Sequence, residues 1–194
     1  EEKLNNLEMN LVYALDTHIH ADHITGLGEL REKFGCETVM GFQSNVSCVS
    51  RSVKDNEIIV IDELSIRSIY TPGHTDDSYS YLLKNIEEQF LFTGDTLLIE
   101  GSGRTDFQNG NPSSLYNSLH NKLLKLDDET IIYPAHDYKG FKSSTIKKER
   151  LNNERLKMDK ETFIKFMNSQ KLNKPKLIDK TIPLNLSCGI EEEI

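Results

Sequence analysis

The chain has 194 residues, a length that suits a single domain, and 37% hydrophobic with 28% charged residues is the balance of a globular protein. Its formal net charge of −8 repels phosphate backbones and argues against nucleic acid as a partner. No apolar run approaches a membrane span and no signal-peptide pattern opens the chain, so neither a membrane partner nor secretion is expected.

In chain order, the apolar run Asn10 to Leu15 (NLVYAL) predicts a buried strand that delivers the chain into a histidine cluster. Ile24, Leu27, Leu30 and Phe34 follow at helical spacing, and Gly35 is positioned to stop that helix. ETVMGF predicts another strand. From Glu57 to Phe92 the pattern is strand-like: EIIVID and LSIRSIYT flank a tight turn near Asp62 and Glu63, and SYSYLL and QFLFT flank the polar KNIEE. Pro112 and Ser113 open a helix with the stripe Leu115, Leu119, Leu123 and Leu126, and TIIYPAH predicts a further strand. STIKKERLNNERLKM and DKETFIKFMNSQ read as helical, the latter with Asp159 as N-cap, whereas KPKLIDKTIPLNLSCG reads as extended. The alternation of strands and helices over residues 1–194 points to one α/β domain.

Three cysteines, Cys36, Cys48 and Cys188, are odd in number and widely spaced, with no CxxC pair. They read as isolated thiols in a reducing compartment rather than as a disulfide framework.

Polar chemistry falls at the ends of the predicted strands. Three of the six histidines, His18, His20 and His23, lie within the segment DTHIHADHITG together with Asp22. Residues i and i+2 at a strand end point the same way, so His18 and His20 can face one point, with Asp22 and His23 near a neighbouring one. His74, Asp95 and His136 follow at later strand ends, and strand ends along one sheet edge are where α/β folds build sites. Imidazoles with carboxylates suit zinc, iron or manganese. By ligand counting alone, the set suggests two metals. His120, within a predicted helix and without a neighbouring ligand, reads as ordinary.

THIHADH, TPGH, FTGD and PAH resemble the motif series of the metallo-β-lactamase superfamily. THIHADHITG, GSGRTDFQNG, IIYPAHDYKGF and IPLNLSCG resemble, more narrowly, the persulfide dioxygenases. The resemblance runs from Tyr13 to Gly189. It implies an αββα sandwich, here short of part of its N-terminal strands, since relatives carry more residues before the first histidine motif. It implies one iron(II) per chain, held by His18, His74 and Asp95, and oxidation of glutathione persulfide by O₂ to sulfite and glutathione. His20, Asp22, His23 and His136 then orient ligands or contact bound water and substrate. Arg104, by the same resemblance, helps hold the glutathione moiety as a carboxylate clamp, and Tyr138 lies near the sulfur. Asp76 and Asp77 stand where many relatives read Pro-Gly. The expected setting is bacterial cytoplasm or mitochondrial matrix, with a homodimer as the expected assembly. A dinuclear zinc hydrolase of glutathione thioesters and a non-catalytic metal- or glutathione-binding remnant are the competing readings; GRTDFQ and AHDY favour the dioxygenase.

Overall fold

The computed structural model describes residues 2–7 and 9–191. They fall into two compact units, Glu1–Val53 with Asn173–Ile194, and Lys54–Leu172.

The first unit opens with a short helix, α1 (Glu2–Asn6), and is built on three parallel strands, β1 (Tyr13–Leu15), β2 (Glu37–Gly41) and β3 (Arg51–Val53), with β2 in the middle. Parallel neighbours need a crossover, and α2 (Leu27–Phe34) supplies the one between β1 and β2. This helix begins later than the apolar spacing suggests. The Thr25 hydroxyl accepts the N–H of Leu27 at 3.2 Å, which fixes the start there and leaves Ile24 exposed. Gly35 stops it as expected, with φ 67° and its N–H on the Arg31 carbonyl. Ala14, Leu27, Cys36, Met40, Val46 and Cys188 form the core of this unit.

Two expectations are corrected here. The segment read as extended contains a helix, Ile178–Leu186, with Pro183 inside it. Proline weakens a helix interior, but Ile178, Thr181 and Asn185 bury one face at spacings of three and four, and that tertiary anchoring overrides the local preference. The cysteine reading also fails in part: Cys48 and Cys188 form a disulfide with Cα atoms 5.9 Å apart. A separation of 140 residues along the chain set no distance in space. Cys36 is a free, buried thiol.

The second unit carries a six-stranded mixed sheet in the order β11-β10-β7-β6-β5-β4. Strands β4 (Ile58–Ile61), β5 (Leu64–Tyr70), β6 (Tyr79–Lys84) and β7 (Gln89–Gly94) run antiparallel in succession. A small hairpin, β8 (Leu97–Leu98) and β9 (Gly101–Ser102), follows, then α3 (Pro112–Asn121) crosses over to β10 (Ile131–Pro134), parallel to β7. The edge strand β11 (Ser144–Thr145), α4 (Ile146–Asn152) and α5 (Lys160–Ser169) complete it. Because β5 and β7 both oppose β6, and β10 follows β7, the C-terminal ends of β5, β7 and β10 lie at one end of the sheet.

Leu115, Leu119 and Leu123 are fully buried as the stripe predicts, packed with Leu82, Leu91, Ile132, Phe163 and Met167. The helix itself ends at Asn121, and Leu123 sits in a following 3₁₀ turn. Asp159 caps α5 by accepting the N–H of Thr162 at 2.9 Å. His120 stacks on Tyr116 at 4.0 Å, and burial pushes its imidazole below the usual histidine range. Among the described residues no helix is long and apolar enough to cross a membrane.

Cys48→Ser with Cys188→Ser should lower unfolding free energy by about 2–4 kcal/mol, the usual contribution of a cross-link that restricts the unfolded chain. Urea unfolding followed with and without reductant measures it; coincident midpoints for parent and double variant would show that the cross-link contributes nothing.

Candidate metal centre

In the first unit the histidine loop leaves β1 at Asp16. His18 and His20 are buried, and the rings of His18, His20 and His23 form a stack with successive centroids 4.3 Å apart. Thr17 Oγ1 pairs with His18 Nδ1 at 2.9 Å. Asp16 Oδ1 lies 3.6 Å from His20 Nε2, while Asp16 Oδ2 accepts the Thr25 hydroxyl. Asp22 Oδ1 is 3.1 Å from His23 Nδ1. His20, Asp22 and His23 each offer a ligand atom within 4.8 Å of the others.

Sequence reasoning missed what holds this loop. The Asn185 amide, on the C-terminal helix, donates to the carbonyls of His20 (2.8 Å) and His23 (2.9 Å), and its oxygen accepts the N–H of Thr25 (2.9 Å). The Thr181 hydroxyl donates to the Ala21 carbonyl at 2.8 Å. The spacing of Ile178, Thr181 and Asn185 was the available signal, hidden by the prolines around it.

In the second unit His74, Asp95 and His136 follow β5, β7 and β10 at the shared end of the sheet. The Nδ1–H of His74 donates to the Arg104 carbonyl at 2.8 Å, which fixes the tautomer and leaves Nε2 as the free lone pair. That Nε2 lies 3.4 Å from Asp95 Oδ2, and His136 Nε2 lies 3.7 Å from Asp95 Oδ1. Asp95 Oδ1 is buried with no hydrogen-bond partner among the described residues. A buried, unmet carboxylate oxygen between two imidazoles is a donor set that suits a cation.

Gly103, quoted in GSGRTDF but given no role by the sequence, donates its N–H to the Asp95 carbonyl at 2.9 Å. A Cβ there would stand 2.1 Å from that carbonyl oxygen and 2.9 Å from His74 Nδ1, so only glycine lets the strand end and the histidine approach this closely. The loop bearing Asp76 and Asp77 is stitched down: Tyr70 donates its hydroxyl to the Asp76 carbonyl and Asn109 its amide to the Asp76 carboxylate.

A cavity of about 440 Å³ opens on these groups and includes Arg104, Tyr138 and Arg155 in its lining. Tyr138 is exposed and stacks on His136, with centroids 6.0 Å apart. Arg104 lies over Phe107 and gives Asp106 two parallel hydrogen bonds of 2.6 and 2.7 Å. The carboxylate clamp expected of Arg104 is therefore filled by the chain's own Asp106. These bonds hold the Asp106 carboxyl below the usual carboxylate range. Its contribution is complete above the unfolded carboxylate pKa and is lost only as pH falls through the lowered folded value.

A model described as the metallo-beta-lactamase superfamily matches residues 50–136. A Staphylococcus aureus metallo-beta-lactamase crystal structure superposes with a TM-score of 0.89 at 22% identity, covering 100% of this chain and 62% of that one. The fold is the metallo-β-lactamase fold. Human persulfide dioxygenase ETHE1, mitochondrial, is 41% identical over 189 residues, 97% of this chain and 73% of the relative. The crystal structure of ETHE1 from Myxococcus xanthus superposes with a TM-score of 0.92 at 44% identity, covering 97% and 82% of the two chains. A probable hydroxyacylglutathione hydrolase of Schizosaccharomyces pombe, glo2, is 36% identical over 71% of this chain and 53% of its own length. The chain belongs to the persulfide dioxygenase family of that superfamily.

Gly103→Ala should destabilise the protein by about 1–3 kcal/mol, the range for overpacking, and weaken metal retention by displacing Asp95 and His74. Thermal unfolding and metal content of the variant check it; parent-like values for both would sink the argument. Asn185→Ala should cost about 1–3 kcal/mol through unmet backbone groups. Asn185→Asp should not rescue it, because a carboxylate would face two carbonyl oxygens. Parent stability in Asn185→Asp, read by urea unfolding, would contradict the donor role.

Proposed function

We propose that the protein is a mononuclear non-heme iron dioxygenase that oxidises glutathione persulfide with O₂ to sulfite and glutathione, one water supplying the third oxygen of sulfite. The single observation that carries this reading is the donor set around Asp95, in a chain 41% identical to a persulfide dioxygenase over 97% of its length. His18, His74 and Asp95 would hold one iron(II) per chain, and the two units would work as one metallo-β-lactamase-like domain. Bound iron(II) supplies the redox chemistry that lets O₂ react with sulfur, which zinc lacks.

The chain's own residues do the rest. The Arg104 carbonyl keeps the His74 proton on Nδ1 and turns Nε2 toward Asp95. Asp95 supplies negative charge to the cation. His20, Asp22, His23 and His136 act around the ligands, on bound water and on substrate. Arg104 and Tyr138 contact the glutathione moiety, Arg104 held in place by Asp106. The name of the human relative supports a mitochondrial matrix setting for a eukaryotic source and cytoplasm for a bacterial one, with a homodimer as the assembly.

A second reading has an observation of its own. His20, Asp22 and His23 could hold another cation, as a dinuclear zinc thioester hydrolase would need. The hydrolase relative covers less of the chain, at lower identity.

Purified protein should carry about one iron per chain and consume O₂ with glutathione persulfide, by elemental analysis alongside an oxygen electrode. Two zincs per chain with iron-independent thioester hydrolysis would decide for the hydrolase. Asp95→Asn should lose iron or most oxygen uptake while keeping the parent's circular dichroism spectrum. Full activity with bound iron in that variant would move the carboxylate role elsewhere, to Asp22 first.

A further inference from the structure

The cavity beside Asp95 is lined by three cationic side chains, and two of them are already neutralised. Arg104 is locked to Asp106, and Lys139 Nζ reaches Glu100 Oε2 at 2.5 Å. Arg155 is the third. Among the described residues no carboxylate pairs with it. Its Nη1 donates to the carbonyl and hydroxyl of Ser102, at 2.6 and 3.0 Å, and its guanidinium lies over the Phe166 ring, 5.3 Å from the centroid. Neighbouring acids are committed elsewhere. Glu149 accepts from Ser144 Oγ, the Glu100 N–H and Asn153, and Asp137 accepts the N–H groups of Lys139 and Phe141. Burial alone lowers the Arg155 pKa, with no acid raising it.

A half-buried guanidinium without a counter-ion is unfavourable unless an anion arrives to meet it. It is also held ready: Ser102 and Phe166 fix its plane, so little rotamer freedom is lost on binding. We propose that Arg155 is the carboxylate anchor of the substrate pocket and sets the preference for a persulfide that carries a free carboxylate. The inference rests on the dioxygenase reading for the identity of that persulfide, glutathione's tripeptide with its two carboxylates. Arg104 then contributes its stacked face rather than a clamp, and the orientation of the substrate depends on Arg155.

The test crosses enzyme variants with substrate esterification. Iron-loaded full-length parent, Arg155→Lys and Arg155→Ala are assayed by oxygen uptake with glutathione persulfide and with the persulfide of glutathione diethyl ester. The parent should favour the free acid in KM by about 10- to 100-fold, the worth of one charge-assisted bond. Arg155→Ala should lose that preference, with KM for the diester persulfide near the parent's and kcat little changed, and Arg155→Lys should keep part of it. General damage to the pocket would raise both KM values together. A parent-like free-acid preference in Arg155→Ala overturns the proposal. Should that variant fold poorly, Arg155→Lys and Arg155→Gln carry the same ratio. Glutathione titrated calorimetrically into the parent and variants gives a readout without turnover. If the parent takes up no oxygen yet binds glutathione in an Arg155-dependent manner, the reaction assigned above fails and the anchor stands. If uptake is normal and both ratio and binding ignore Arg155, the anchor fails and the reaction stands.

Discussion

Asp95 Oδ1 is a carboxylate oxygen removed from water and given no hydrogen-bond donor among the described residues. Such a group is costly to bury, and much of the second unit is arranged around tolerating it. The parallel pairing of β7 with β10, and the shared direction of β5 and β7, put Asp95 between His74 and His136. Neither imidazole comes within hydrogen-bonding reach, at 3.4 and 3.7 Å from its oxygens. The Gly103 N–H fixes the Asp95 backbone, and the same residue leaves room for the His74 ring. A side chain at position 103 would close that gap.

The hairpin that ends at Gly103 is held by side chains from the region that follows β11. Glu149 accepts the Glu100 N–H, Asn153 donates to the Gly101 carbonyl and Arg155 to the Ser102 carbonyl, so three successive backbone residues are gripped in turn. Glu149 and Asn153 are almost wholly buried. Buried polar groups that are fully satisfied specify a single arrangement rather than adding much stability, which is what a wall of a binding cavity requires. Arg155 belongs to this grip and also faces the cavity, so support and recognition meet in one residue.

Much of this was legible in the sequence because it is local. Alternation marked β4 to β7, the leucine stripe marked α3 and Asp159 marked the start of α5. The histidine loop and the strand-end positions of His74, Asp95 and His136 stood out because such residues rarely gather without chemistry. What escaped depends on partners far along the chain. Asn185 looked like one polar residue in a proline-bearing tail until the carbonyls of His20 and His23 were seen above it. Arg104 looked free because Asp106, two residues on, is too close in sequence to announce a two-bond pairing. Gly103 and Glu149 act on backbone atoms, which leave no trace in residue type.

The cross-link between Cys48 and Cys188 has a topological consequence. Both cysteines belong to the first unit, and the whole of the second, Lys54–Leu172, lies between them in sequence. The oxidised chain is thus a closed covalent ring with two short tails. A single backbone cut anywhere in the ring opens it without separating the pieces, so a protease-nicked molecule would run as one species until reductant is added. The segment that clamps the histidine loop, Thr181 to Asn185, would stay tethered to the strands beside it even when the peptide path between them is broken.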